Sequence, residues 1–229
     1  MNRSTLRSAL RSSVGFAGLL AILLATPAAG QDAAPMPLTQ NGEALVLETH
    51  AHRLVLPLPD WLTDDERAGE TLPLVETMFS SSERQAILTI TPKGETAETW
   101  RTLYAARITL EPDRALIDYR RSTMTGYARN CRPGLTGFFQ LGEDRGEALA
   151  PLGFVCGAFL ERLGNLIGMG EVAIISFKRT PAGIAAVYQE WRGDAFDPTD
   201  PTAWPVPTDV VELRARQLHD EAELIATGD

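Results

Sequence analysis

The sequence predicts an α+β domain: a largely antiparallel sheet of about six to seven strands packed with two to three helices. Three observations carry this. Strand-like segments come in groups rather than alternating singly with helices. Residues 171–179 and 184–192 are apolar runs joined by Thr180-Pro181-Ala182-Gly183, the pattern of a hairpin. Helical spacing is confined to three windows, two after residue 96 and one after Thr208.

The N-terminus reads as a secretory signal peptide over residues 1–30. Arg3, Arg7 and Arg11 form a basic start, with no acid before Asp32. An apolar run from Val14 to Ala25 follows, then Thr26-Pro27-Ala28-Ala29-Gly30. Basic, apolar and small-residue blocks in that order suit cleavage near Gly30/Gln31, with Ala28 at −3. The run is shorter than the roughly 20 apolar residues of a membrane span, and Pro27 ends it. Retention as an anchor is the alternative. The three arginines are never adjacent, unlike a twin-arginine signal. No cysteine near the cleavage point offers a site for lipid. The expected location is the periplasm or the medium, with no membrane span after cleavage.

Residues 31–42, with Pro35 and Pro37, read as a disordered leader, and 43–229 as a single domain. The strand signal covers 43–56 until Pro57 and Pro59 stop it. Asp64-Asp65-Glu66 reads as an acidic loop. Strands are expected over 72–79 and 86–91. Trp100, Leu103, Tyr104, Arg107 and Ile108 then fall on one face of a helix over about 97–110, with Thr96 as its N-cap. A second helix is expected from Glu111-Pro112 to about Arg129. Strands return over 136–141 and 152–158 and in the hairpin. A rigid proline-rich connection leads to a last helix with Val211, Leu218, Ala222 and Ile225 inside. In the hairpin, Ile175, Phe177, Val187 and Trp191 are the expected core-facing set, and Lys178 the expected surface residue.

Composition narrows the function classes. The chain has 229 residues, 44% hydrophobic and 22% charged, as a globular protein does. Its net charge is −9, and losing residues 1–30 would make it more negative. Such a surface is a poor match for nucleic acid, so none is expected as a partner. Only Lys93 and Lys178 are lysines, an arginine bias typical of GC-rich bacterial genomes. Cys131 and Cys156 are the two cysteines. In an oxidising compartment an even count favours one disulfide, with two separately buried thiols as the alternative.

Several residue sets invite a chemical reading. Glu48, His50 and His52 alternate and would share one face of the first strand, where two imidazoles and a carboxylate could hold zinc or copper. A solvated strand face is the simpler reading. Ser80, Ser81 and Ser82 would need a histidine base and an orienting third group to act as nucleophiles. Asp144, Glu147, Glu161 and Glu171 could supply paired carboxylates, although an acidic domain offers many such pairs by chance. Gly164, Gly168 and Gly170 precede a strand rather than a helix, so they read as a turn and not a phosphate loop. Arg120, Arg121, Arg129 and Arg132 could form an anion or partner patch on the second helix; a solvated helix face is the default. The four tryptophans, Trp61, Trp100, Trp191 and Trp204, read as core or rim packing. No cofactor is expected.

Two stretches carry a resemblance. Phe79–Arg107, with Ile90-Thr91-Pro92-Lys93-Gly94-Glu95-Thr96 and Trp100, reads as a strand running through Pro and Gly into a Trp-bearing helix and is one. Cys156-Gly157, Gly170-Glu171-Val172 and Val187-Tyr188-Gln189-Glu190-Trp191-Arg192 together make the other. They resemble uncharacterised exported proteins of proteobacteria. The element order also looks like the PsbP-like α/β/α sandwich, a fold of accessory and assembly proteins. The resemblance implies structural motifs and no catalytic residues. The resulting expectation is an exported, non-catalytic accessory or binding protein. Its partner would be another periplasmic or membrane-associated protein. The alternative is a metal-binding protein or enzyme built on the Glu48/His50/His52 face.

Overall fold

The computed structural model describes residues 36–96 and 99–227. The expected signal peptide and the first part of the leader lie outside the described residues, as do Ala97 and Glu98.

The fold is α+β and antiparallel, as the sequence predicts. Eleven strands and three α-helices are seen among the described residues. Four strands make a small sheet: β1 (Leu38–Asn41), β2 (Ala44–Thr49), β3 (His52–Pro57) and β11 (Glu223–Ala226), in the order β1-β2-β3-β11. Seven make the large sheet: β4 (Val75–Ser81), β5 (Gln85–Pro92), β6 (Thr102–Thr109), β7 (Thr136–Gln140), β8 (Leu152–Cys156), β9 (Met169–Arg179) and β10 (Ile184–Asp194). Their order is β4-β5-β6-β10-β9-β8-β7, so β10 sits at the centre. The helices are α1 (Asp64–Ala68), α2 (Leu116–Ala128) and α3 (Thr208–Asp220).

The large sheet is covered on both faces. On one face α2 inserts Leu116 and Tyr119 against Leu152, Ile175, Phe177 and Ile184. On the other, α3 and the small sheet close the main core. There Leu45, Leu47, Leu54 and Leu56 meet Leu88, Ile90, Tyr104 and Ile108, joined by Val211, Ala215 and Leu218. Strands buried on both faces lose the apolar–polar alternation that sequence reading depends on.

That loss accounts for the largest correction. Residues 102–109 form the interior strand β6, beside β10, not a helix. Leu103 and Ala105 face α2 with Arg107, whereas Tyr104, Ala106 and Ile108 face the main core. With both faces apolar, a period of two also produces pairs at i, i+3 and i+4.

The same effect splits the expected hairpin core. Val187 pairs with Ser176 and Trp191 with Val172, facing the main core. Ile175 pairs with Tyr188 and Phe177 with Ala186, facing α2. All four are buried, but they serve opposite faces. Lys178 is half-buried rather than superficial, and its ammonium donates to the carbonyl of His219.

Smaller corrections have local causes. Residues 38–41, assigned to the leader, pair as an edge strand in which Leu38 sits opposite Leu47. Residues 43–56 hold two strands, because His50 and Ala51 both take positive φ, 52° and 53°, and turn the chain in a two-residue hairpin. The acidic stretch after Thr63 is a short helix, closed by a capping box between Thr63 and Glu66. The last helix stops at Asp220, and Ile225 belongs to β11 with its side chain partly exposed.

Cys131 and Cys156 form a disulfide with Cα atoms 5.6 Å apart. Cys156 ends β8 and Cys131 follows α2, so the bond ties the helix to the sheet it covers. A loop of this length is worth about 3.5 kcal/mol in the chain-entropy picture.

Candidate functional site

The α2 face of the large sheet carries an open cleft of about 560 Å³. Its floor comes from β6 and β10, through Leu103, Arg107, Tyr188 and Glu190. Helix α2 supplies one wall with Tyr119, Ser122, Thr123 and Tyr127. The helix covers β8 and β9, while β5 and β6 extend beyond it, so the groove opens where the cover ends. Gly126 lines the same wall, and a Cβ added there would meet no heavy atom within 4 Å.

Behind the floor lies a buried ionisable network. Alternation along β10 points Tyr188, Glu190 and Arg192 to the α2 face. Across the ladder, Glu171 sits opposite Arg192 and Ala173 opposite Glu190. Arg192 donates to Glu171 Oε2 from Nε at 3.3 Å and from a terminal nitrogen at 2.9 Å. Its guanidinium also lies 3.4 Å from the centroid of Trp100. The Tyr127 hydroxyl donates to Glu190 Oε1.

The electrostatics follow from burial. Glu171 and Glu190 are 3% and 8% exposed. Loss of water pushes Glu171 up to about 8; the charge of Glu190 adds to this and Arg192 opposes it. Burial also raises Glu190, against the Tyr127 hydrogen bond and the charges of Arg192 and Arg107. One guanidinium can compensate only one of two neighbouring carboxylates, so the pair tends to retain a proton near neutrality. Burial raises Tyr127 well above the usual phenol range and moves Tyr188 to about 12. Both phenols are therefore hydrogen-bond donors at ordinary pH.

The residue sets singled out in the sequence are mostly scattered. Glu48 is exposed and pairs across the ladder with Arg53, whereas His52 faces the opposite side of the small sheet opposite Thr49. His52 is 1% exposed; Nδ1 lies 2.7 Å from the His50 carbonyl and Nε2 lies 2.8 Å from Thr180 Oγ1. The shared metal-binding face of Glu48, His50 and His52 therefore does not exist, because the turn at His50 breaks the alternation. Among the described residues no cluster of three or more His, Cys, Asp or Glu side chains could hold a metal ion.

His50 does meet a serine, with Nε2 3.1 Å from Ser81 Oγ. This pair lies on the exposed surface, away from the cleft. Asp144 binds Arg120, and Glu161 lies 3.3 Å from Arg132, at separate places on the surface. Glu147 is exposed. Arg121 pairs with Asp118 on α2, so the four arginines do not converge on one patch. Gly164 and Gly168 take positive φ in the turn that leads into β9. Trp100 and Trp191 are buried, and Trp61 and Trp204 are half-buried.

Of the carboxylates named from the sequence, only Glu171 belongs to the cleft network. Arg107, Tyr127, Tyr188 and Glu190 are the residues sequence reading missed as a set. One signal was present: Gln189-Glu190 and Arg192 interrupt an apolar strand that the hairpin pattern places in the sheet. No family model matches the chain, and no curated protein matches it.

Proposed function

We propose that this is an exported, non-catalytic binding protein that holds a small polar ligand in the α2 cleft. The observation that carries the reading is the convergence of Arg107, Tyr119, Tyr127, Tyr188 and Glu190 on one open cleft from three different elements. Concave sites with a few converging polar groups are where small ligands bind. Fixed donors and acceptors on strands and a disulfide-tethered helix suit recognition. The disulfide and the secretory pattern of residues 1–30 support export to the periplasm. Among the described residues no helix is long and apolar enough to cross a membrane. The resemblance to exported proteobacterial proteins supports an accessory role, which would bring the loaded domain to another periplasmic or membrane-associated protein.

The test is recovery of the protein from the exported fraction of cells that make it, followed by native mass spectrometry. A mass beginning near Gln31, with a stoichiometric small molecule, is expected. The Gly126→Trp variant should fold and arrive empty, because Gly126 lines the cleft and a Cβ added there meets no heavy atom within 4 Å, so the ring has an unobstructed start on the cleft wall. An empty wild type, or the same adduct on both proteins, would overturn the binding reading.

A further inference from the structure

We infer that Arg107 is the anchor for an oxyanion, and that the cleft takes a small organic acid through a single carboxylate. This deepens the binding reading above and rests on it.

Arg107 lies on strand β6, between Ile87 of β5 and Ala186 of β10, and points into the cleft. Its side chain is half-buried. The other cleft arginine, Arg114, is 2.6 Å from Glu111. Behind the floor, Arg192 is held by Glu171. Arg107 makes no ion pair among the described residues. Its Nε is buried and finds no hydrogen-bond acceptor there. The groups facing it are the phenols of Tyr188, Tyr119 and Tyr127, of which Tyr119 and Tyr188 come within hydrogen-bonding reach of the guanidinium as weak acceptors, and the carboxylate of Glu190. A buried guanidinium N–H without an acceptor is costly, and a ligand carboxylate supplies two acceptors in the matching planar geometry.

Charge selects among oxyanions. The remaining ionisable groups facing this end of the cleft are Glu190, held by Tyr127, Glu171, held by Arg192, and Glu111, held by Arg114. Arg192 and Arg114 are each held by a carboxylate, which leaves Arg107 as the guanidinium of this cleft with no ion-pair partner among the described residues. One carboxylate balances it. A phosphate dianion would bring a second negative charge beside Glu190 and Glu111 at added cost. Tyr119, Ser122, Thr123 and Tyr188 then line the remaining space; the Ser122 and Thr123 hydroxyls donate to the Tyr119 carbonyl, so their oxygens are placed to accept from an acid that carries hydroxyl groups.

The test titrates the purified domain with lactate, gluconate and benzoate. Inorganic phosphate is the other oxyanion; glucose and choline are the neutral and cationic probes. Binding is read by calorimetry and by the Arg107 Nε–H resonance. At least one monocarboxylate should saturate and displace that resonance. Arg107→Leu should weaken it at least tenfold, and Arg121→Gln, exposed on α2, should leave it unchanged. Arg107→Lys keeps the charge without the planar fork and should weaken it less; this variant decides if Arg107→Leu fails to fold. Tighter binding of phosphate, glucose or choline, or no saturation by any acid, would overturn the inference. So would monocarboxylate affinity unchanged in Arg107→Leu, or in Arg107→Lys where the leucine variant is unfolded. A native ligand that Gly126→Trp expels and Arg107→Leu does not would sink the carboxylate assignment while leaving the binding reading intact.

Discussion

Arg120 on the sheet side of α2 holds Asp144 by two parallel hydrogen bonds of 2.9 and 2.6 Å. Asp144 also accepts from the backbone N–H of Ala150, so one carboxylate fixes the 141–150 loop against the helix. The Arg120 hydrogen bond holds the Asp144 carboxyl below its usual range. Stability from this contact is therefore present above the unfolded value of 3.8 and is lost as pH falls through the lower folded value. Asp144→Ala should cost about 1–2 kcal/mol at pH 7, discounted for the partly exposed carboxylate. Urea unfolding at pH 7 and at pH 3 checks this; an unchanged gap between variant and wild type at the two pH values would contradict it.

Glu171 and Glu190 titrate in the opposite sense. Burial lifts both above the unfolded value of 4.5, with Glu171 at about 8. The fold therefore favours their protonated forms. That stability is complete below about pH 4.5 and is lost as pH rises toward 8. Glu190→Gln keeps a neutral acceptor for Tyr127 and leaves Arg192 to Glu171. It should flatten the decline between pH 5 and pH 8. Parallel slopes for the two proteins in denaturant titrations across that range would show the pair to be uncoupled from folding.

Phe177 and Lys178 are neighbours on β9 that face opposite sides of the sheet, and both are engaged. Phe177 is 3% exposed and meets Tyr119 edge-on at 6.2 Å. Truncation to alanine should cost about 3–5 kcal/mol. Lys178→Ala removes the donor to His219 and the packed stem, for about 1 kcal/mol. Chemical denaturation of each variant measures both. A Lys178→Ala midpoint identical to wild type would mark its contact as energetically silent.

The turn between β2 and β3 offers a gain. Ala51 is exposed and sits at φ 53°, where a Cβ is disfavoured. Ala51→Gly should stabilise the protein by about 0.5–1 kcal/mol, the strain relieved exceeding the added freedom of the unfolded chain. A thermal midpoint below that of wild type would mean the strain is smaller than the entropy lost.

These elements show where the sequence speaks and where it does not. The β9–β10 hairpin was readable because its turn residues and apolar runs agree. The large sheet was not, since β6 is buried on both faces and its apolar residues satisfy a helical template equally well. His50 misled for a local reason: a turn lacking glycine, asparagine or proline leaves an apparently continuous strand. The cleft draws residues from β6, α2 and β10, whose adjacency depends on the order β6-β10-β9 that no local pattern announces. Cys131 and Cys156 could be paired because no other cysteine competed.

The small sheet begins with β1 and is completed by β11, so its two outer strands come from opposite ends of the domain. Leu54 of β3 finds its partner Leu224 only after the whole large sheet has been strung out between them. Arg214 likewise reaches the Leu58 carbonyl across 156 positions. Closing such distant contacts is slow, because the loop entropy is lost before the contacts repay it. A chain emerging from its N-terminus cannot finish this layer until nearly all of it is available. While that layer is incomplete, Leu45, Leu47, Leu54 and Leu56 lack the part of their cover that Val211, Ala215, Leu218, Ala222 and Leu224 supply in the finished core.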